Sequence, residues 1–244
     1  MDMLDAGMAD SLWIGLIVGL ASLVQGLTGF GFALVAVSLL PFFMELQLAV
    51  TLVIAVSLIG KVVRWWYHRD SFEWSRVVHL VVAALVTIPV GVVGLKYVPE
   101  HLALQTLGVL ILGYVAYSGL QLSLPELTGR SWAYAFGAAS GVLTGAFNVG
   151  WPPMVIYASC NQWSLQQFKG NIPGVFTVMS LVASATHLWQ GDFDQTLVTQ
   201  VGYAAPFFIA GLSSGIWLSN YINAAVFRQG VLLLLGAIGL KLLV

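Results

Sequence analysis

The sequence predicts an all-α polytopic membrane protein made of two inverted repeats, each a broken-helix hairpin followed by three transmembrane helices. Three observations predict it. Of the 244 residues, 59% are hydrophobic and only 8% are charged, far below the roughly 25% charged residues of soluble domains. Uncharged runs match or exceed the about 20 residues that cross a bilayer as helix, and the period-2 alternation of barrel strands is absent. A glycine-rich interruption at Gln25–Gly31 also returns at Thr144–Pro153, where an offset of 119 residues sets Gly26 on Gly145, Gly31 on Gly150 and Gly29 on Asn148. Asparagine is the residue that best replaces glycine in left-handed backbone.

Residues 1–10 carry three acids and no base, the wrong charge for a signal-peptide n-region, and read as a short exposed tail. The first repeat, 11–124, opens with Ser11–Met44, 34 residues without a charge. As one helix this run would be about 51 Å long, too long for a core of about 30 Å, while two full spans and a turn need about 40 residues or more. Two shortened helices meeting at the glycines fit better. Conventional spans follow near 47–67, 76–97 and 102–123. After a linker at 125–130, the second repeat, 131–244, begins with the 38 uncharged residues Ser131–Phe168 and continues with spans near 169–189, 196–218 and 224–244. The duplication reaches past the motif: Pro89 and Gly94 find Pro206 and Gly211 at offset 117, and Gly108-Val109-Leu110 finds Gly230-Val231-Leu232 at offset 122.

Orientation follows from basic residues, which mark cytoplasmic loops. The loop after the second helix of the first repeat holds Arg64, Arg69 and Arg76, with Lys61 just inside the helix, whereas its counterpart, Gln190–Asp194, has two acids and no base. Equivalent loops on opposite sides are what an inverted repeat requires. With hairpins that enter and leave by one face, seven basic residues lie inside and two outside; eight simple spans give six and three. The eight-span alternative stays open.

Several functions are excluded. A net charge of −1 with nine scattered Lys and Arg leaves no basic face for nucleic acid. Cys160 is the only cysteine, so there is no internal disulfide or cysteine-based metal site. His-Glu-x-x-His does not occur, and the glycines of the interruptions lack the lysine and hydroxyl of a phosphate loop. No catalytic residue, metal or cofactor is therefore expected, and the chain is not read as an enzyme. The partners are a small anionic substrate and the lipid bilayer, with a homodimer left open.

A mid-membrane break exposes backbone polar groups that lipid cannot satisfy, so it implies a site. Helices starting after each break, near Phe32 and Pro153, would aim N–H groups and the positive dipole end at an anion. The backbone candidates are Gly26, Gly29, Gly31, Gly145, Gly150 and Pro152, against the alternative that Gly15, Gly19, Gly26, Gly137, Gly141 and Gly145 only let helices pack closely. The side-chain candidates are Gln25, Thr28, Ser57, Thr144, Asn148, Asn171, Thr177 and Ser180, with Ser57 and Thr177 as an equivalent pair and Trp151 as a wall. Lys61 either attracts the anion or snorkels toward the basic loop. His187, near the end of its span, reads as interfacial. No Asp or Glu lies near the middle of a span, so a carboxylate proton relay is not visible.

The spacing Gly15-x3-Gly19-x6-Gly26-x2-Gly29-x-Gly31 ending in Pro41, the loop Tyr67-His68-Arg69-Asp70 before Phe72-x-Trp74, and the second glycine element before Pro152-Pro153 resemble the TauE/SafE family. These are sulfite exporters and relatives, also called the toluene sulfonate uptake permease family. The resemblance covers about residues 11–240. It implies a duplicated multi-pass protein of a bacterial inner (cell) membrane that moves sulfite, sulfonates or related small sulfur oxyanions. Expected, then, is a secondary transporter working by alternating access around a two-part anion site. An inside-negative potential favours anion export by about 2.3 kcal/mol per charge per 100 mV, so export is preferred; an anion channel or an importer of organic sulfonates are the alternatives.

Overall fold

The computed structural model describes the backbone of residues 2–120, 125–127, 129–221 and 224–243, and among these it contains no strand. The helices are α1 (Asp2–Thr28), α2 (Phe32–Leu39), α3 (Leu46–His68), α4 (Trp74–Tyr97), α5 (Glu100–Leu120), α6 (Arg130–Phe147), α7 (Trp151–Cys160), α8 (Leu165–Trp189), α9 (Gln195–Leu218) and α10 (Ala224–Lys241). Six stretches, Ser11–Thr28, Leu46–Ser71, Trp74–Tyr97, Glu100–Gly119, Leu165–Trp189 and Gln195–Leu218, are long and apolar enough to cross a membrane. The protein is therefore an all-α, multi-pass membrane protein. The expected tail is helical from Asp2 onward and continues into the first span. Part of the expected linker, residue 128, lies outside the described residues.

The helices gather into two compact units that do not follow the chain in two blocks. Unit 1 comprises 1–56, 99–120 and 193–244, and unit 2 comprises 57–98 and 121–192. Each draws helices from both expected repeats.

In unit 1, α1 packs along α9 with almost no side chain between them. A Cβ on Gly26 would lie 2.6 Å from Leu212 O and 2.8 Å from Gly215 Cα, and one on Gly15 would lie 2.7 Å from the Phe207 ring. Close backbone approach is how membrane helices associate, since lipid offers no hydrophobic drive. After Thr28 the chain turns. Gly29 and Gly31 take φ of 84° and 95°, left-handed values that suit glycine. A Cβ on Gly31 would lie 3.5 Å from a Val24 methyl, seven residues back; a continuing helix would separate them by about 10 Å. The chain has doubled back into α2. The Glu100 carboxylate, at the start of α5, accepts the N–H of Leu46 at the start of α3 at 2.9 Å.

In unit 2, α6 packs along α4 in the same manner: a Cβ on Gly137, Gly141 or Gly145 would overlap Leu80, Thr87 or Ile88. Thr87 adds a hydrogen bond to Ala138 O at 3.0 Å. The second interruption follows Phe147, where Asn148 is left-handed (φ 54°) and its N–H returns to Thr144 O at 2.8 Å. Ser140 donates to Gly150 O at 2.7 Å across ten residues, so this chain also doubles back. Gly150 differs from its counterpart Gly31. Its φ is −78°, and glycine is needed for space, because a Cβ there would overlap Thr144 Oγ1 and stand 2.7 Å from Ser140 O.

Helix α8 runs beside α4 and in the same direction, tied at both ends. Near its start, Asn171 Oδ1 accepts the Glu73 N–H at 2.7 Å and Gln167 donates to Glu73 at 3.0 Å. Beyond its end, Asp192 binds Lys96 at 2.7 Å.

Candidate functional site

The second interruption lies beside an embedded cation. Ser57 and Lys61 are four residues apart on α3, and therefore on one face. Asn148 meets both: its Oδ1 accepts from Lys61 Nζ at 2.9 Å and its Nδ2 donates to Ser57 Oγ at 3.3 Å. From α8, Ser180 Oγ accepts from Lys61 Nζ at 2.6 Å. Ser57, Asn148 and Ser180 are all buried. The left-handed backbone at Asn148 is what turns its amide from the end of α6 toward α3.

Lys61 sits inside the span Leu46–Ser71. Its two partners are neutral, and none of the ion pairs among the described residues includes it. Two of the three N–H bonds of the ammonium are used. The side chain points at the interruption rather than toward the basic loop, so the snorkelling reading is overturned: two buried oxygens hold the ammonium where the loop was expected to.

Trp151 opens α7 and stacks on Phe176, ring centroids 6.0 Å apart at 27°, with Phe168 edge-on at 5.6 Å. Phe176 precedes Ser180 by one turn, so this aromatic group borders the polar cluster. Thr144 Oγ1 is buried beneath Gly150 and has no hydrogen-bond partner among the described residues. The helix end itself offers little. Pro152 and Pro153 occupy its first turn and have no N–H, so donors at this interruption come from side chains rather than from a row of backbone amides.

Other expected residues fall elsewhere. Asn171 serves the Glu73 tie, although its Nδ2 has no partner among the described residues. Thr177 donates to Pro173 O of its own helix at 2.8 Å and does not pair with Ser57. Gly145 faces α4, where its role is close packing.

The first interruption belongs to unit 1 and has a different chemistry. Thr28 Oγ1 lies 2.8 Å from both Val24 O and Phe30 O and secures the turn. The Gln25 carbonyl accepts the Gly29 N–H at 2.8 Å, while its side-chain Oε1 has no partner among the described residues. Gly26 packs on α9 and Gly29 is exposed. The adjoining cavity, about 10 Å³, is walled by Val24, Leu34, Tyr114 and Leu235 with Thr28 and Gly31, room for about one water.

A polar cluster that the sequence reading missed lies at the end of α8. His187, expected at the interface, is 1% exposed and bonds Asp192 at 2.8 Å. Burial would push the Asp192 carboxyl up, but the hydrogen bonds and charges of Lys96 and His187 outweigh it and hold the group below its usual range. The available signal was a basic residue ending one span and an acid following another.

A sequence model of the family described as Sulfite exporter TauE/SafE matches residues 14–242. The chain is also 26% identical over 235 residues to a protein of Cupriavidus necator named "Probable sulfite/organosulfonate exporter TauE", covering 91% of this chain and 90% of that one. No solved structure matches.

Proposed function

Because the chain belongs to the TauE/SafE sulfite exporter family, we propose that this membrane transporter of sulfur anions binds its substrate at Lys61 and carries it outward by alternating access. One observation carries the reading: an ammonium inside a membrane span whose described partners are the neutral Asn148 and Ser180. A charge held in the membrane interior is costly unless it is compensated, and such residues mark ion or substrate pathways. A sulfite or sulfonate oxygen would take the third N–H and supply the missing charge, with the Ser57 and Asn148 groups one hydrogen bond away.

Two inverted repeats support alternation. Helices α1 and α6 correspond in the duplication, as do α9 and α4, and each unit is built on one such crossing, α1 on α9 and α6 on α4, both sealed by glycines. Both interruptions double the chain back, as a hairpin of each repeat would. Export agrees with the inside-negative potential, which drives a net negative charge outward without a coupling ion.

Counterflow of labelled sulfite in proteoliposomes tests the reading. Saturable exchange that is lost in Lys61→Met supports it; undiminished exchange in that variant removes the site from Lys61, and ohmic single-channel current would replace alternation with conduction.

A further inference from the structure

Helices α3 and α8 run antiparallel along one seam. Lys61 of α3 meets Ser180 of α8, with Nζ and Oγ 2.6 Å apart. One turn further along α3, the Trp65 indole Nε1 stands 2.9 Å from the position that a Cβ on Gly174 would take, and Gly174 lies on α8 ahead of Ser180. The seam therefore leads from the ammonium toward the basic loop, about 9 Å along α8.

Two buried hydrogen-bond donors lie on it without an acceptor. Asn171, one turn before Gly174, is fully buried. Its Oδ1 accepts the Glu73 backbone N–H at 2.7 Å, and a backbone N–H only donates, so the orientation of the amide is fixed and Nδ2 is the end left over. Nδ2 has no partner among the described residues, and neither has Trp65 Nε1, which is itself only a donor. Buried polar groups are almost always paired. What would match these two is a ligand that offers oxygens and needs no acceptor in return, and a sulfonate is such a group.

The room for it is held by Phe72. This residue has an extended backbone just ahead of α4, with φ −83° and ψ 120°, and is only partly buried. Its ring lies 2.5 Å from the position of a Cβ on Gly174 and edge-on to the Trp65 indole at 6.1 Å. The ring thus fills the space that the missing side chain of Gly174 leaves.

We propose that Trp65 and Asn171 form a second oxyanion station, one step from Lys61 on the side of the basic loop, with Phe72 as its plug. When the ring swings off Gly174, the vacated space takes a sulfur oxyanion on the indole and amide N–H groups, and the anion passes from there to the ammonium. The station stands on the unmatched donors. Its place on a transport path rests on the reading of Lys61 as the substrate site.

Nitrogen–proton correlation spectra of the tryptophan indoles, recorded on the full-length protein in nanodiscs, read the station directly, with the Trp65 signal identified by its loss in Trp65→Phe. Methanesulfonate should shift that signal saturably in the native protein and, at several-fold higher concentration, in Lys61→Met. No shift in the native protein, as when ordered water alone serves the donors, would overturn the station, and so would a shift abolished in Lys61→Met, which would merge the two sites into one. Asn171→Asp keeps the acceptor for Glu73 and removes the free donors; it should raise the half-saturating concentration by about tenfold or more. Should the buried aspartate prevent folding, Phe72→Ala, which removes the plug, should lower that concentration several-fold, and an unchanged value would overturn the plug. Counterflow of labelled methanesulfonate should need several-fold more substrate for half-saturation in Trp65→Phe. Unchanged counterflow there beside a saturable shift in the native protein would overturn the link to transport. A saturable shift with no counterflow in the native protein would count against the transporter reading and leave the station standing.

Discussion

Lys61 Nζ lies 2.6 Å from Ser180 Oγ, and the two residues are 119 positions apart, the interval that carries Gly26 onto Gly145 and Gly31 onto Gly150. The hydrogen bond thus joins two residues that share this interval, one a cation and the other a neutral hydroxyl. The interval carries one charge here and not two.

Replacing that charge should be the most damaging single change to transport. A hydrogen bond to a charged group is worth about 1.5–3 kcal/mol, so Lys61→Met should weaken sulfite retention by about 10- to 100-fold in counterflow. Ser180→Ala, which removes one neutral partner, should cost about fivefold. Lys61→Arg keeps the charge but not the compact ammonium and should fall between the two.

Asn148→Gly separates backbone from side chain. Glycine accepts the left-handed φ of 54°, so the loss of thermal stability should be about 1.5–3 kcal/mol, the worth of the lost hydrogen bond to the ammonium, with no added backbone strain. Sulfite exchange should fall at least as far as in Ser180→Ala. Equal exchange in Asn148→Gly and the native protein would show that the amide only shapes the turn.

The matching glycines of the two interruptions should fail differently. Gly31→Ala makes only an ordinary contact with a Val24 methyl at 3.5 Å but carries a left-handed strain of about 1–2 kcal/mol, visible as a melting shift of a few degrees in detergent. Gly150→Ala has an ordinary φ but places its methyl on Thr144 Oγ1 and should destabilise by about 1–3 kcal/mol through overpacking. Thr144→Ala should restore part of that loss in the double variant and none of it in Gly31→Ala.

Two carboxyls outside the spans predict the acid limb of stability. The hydrogen bonds of Arg76 and Gln167 hold Glu73 below its usual range, and Asp192 is lowered by Lys96 and His187 against its burial. Each therefore contributes stability that is complete above the ordinary carboxylate range, about pH 4, and lost as pH falls through the folded value. Melting curves below about pH 4 should flatten in Asp192→Asn, and less in Glu73→Gln because Glu73 is exposed and its pairing is screened by water.

The architecture was legible because its signals are long and physical. Uncharged runs too long for one span and too short for two announced the interruptions, and glycine against asparagine at the same offset announced the left-handed turn that Gly29 and Asn148 share. What was not legible depends on which way a side chain points. Lys61 is near a basic loop in sequence and near Asn148 in space, and only the rotation of α3 against α8 decides between them. Gly31 and Gly150 align as one residue type, yet one is required for its φ and the other for its missing Cβ. Ser57 and Thr177 looked equivalent at an interval of 120, one residue away from the interval that links Lys61 and Ser180; a single helical position, about 100° of rotation, separates a partner of the ammonium's neighbours from a hydroxyl spent on its own helix.

The two prolines at the head of α7 have a kinetic consequence for a bound oxyanion. They delete amides that a helix start would otherwise turn toward a ligand, leaving the grip to one ammonium and a few side chains. A site held by so few donors lets go quickly, since most tuning of affinity appears in the off-rate. If the proposed site is the transport site, short residence favours turnover over capture, and refilling this helix start with amides, as in a Pro152→Ala, Pro153→Ala double variant, should give slower exchange and tighter binding.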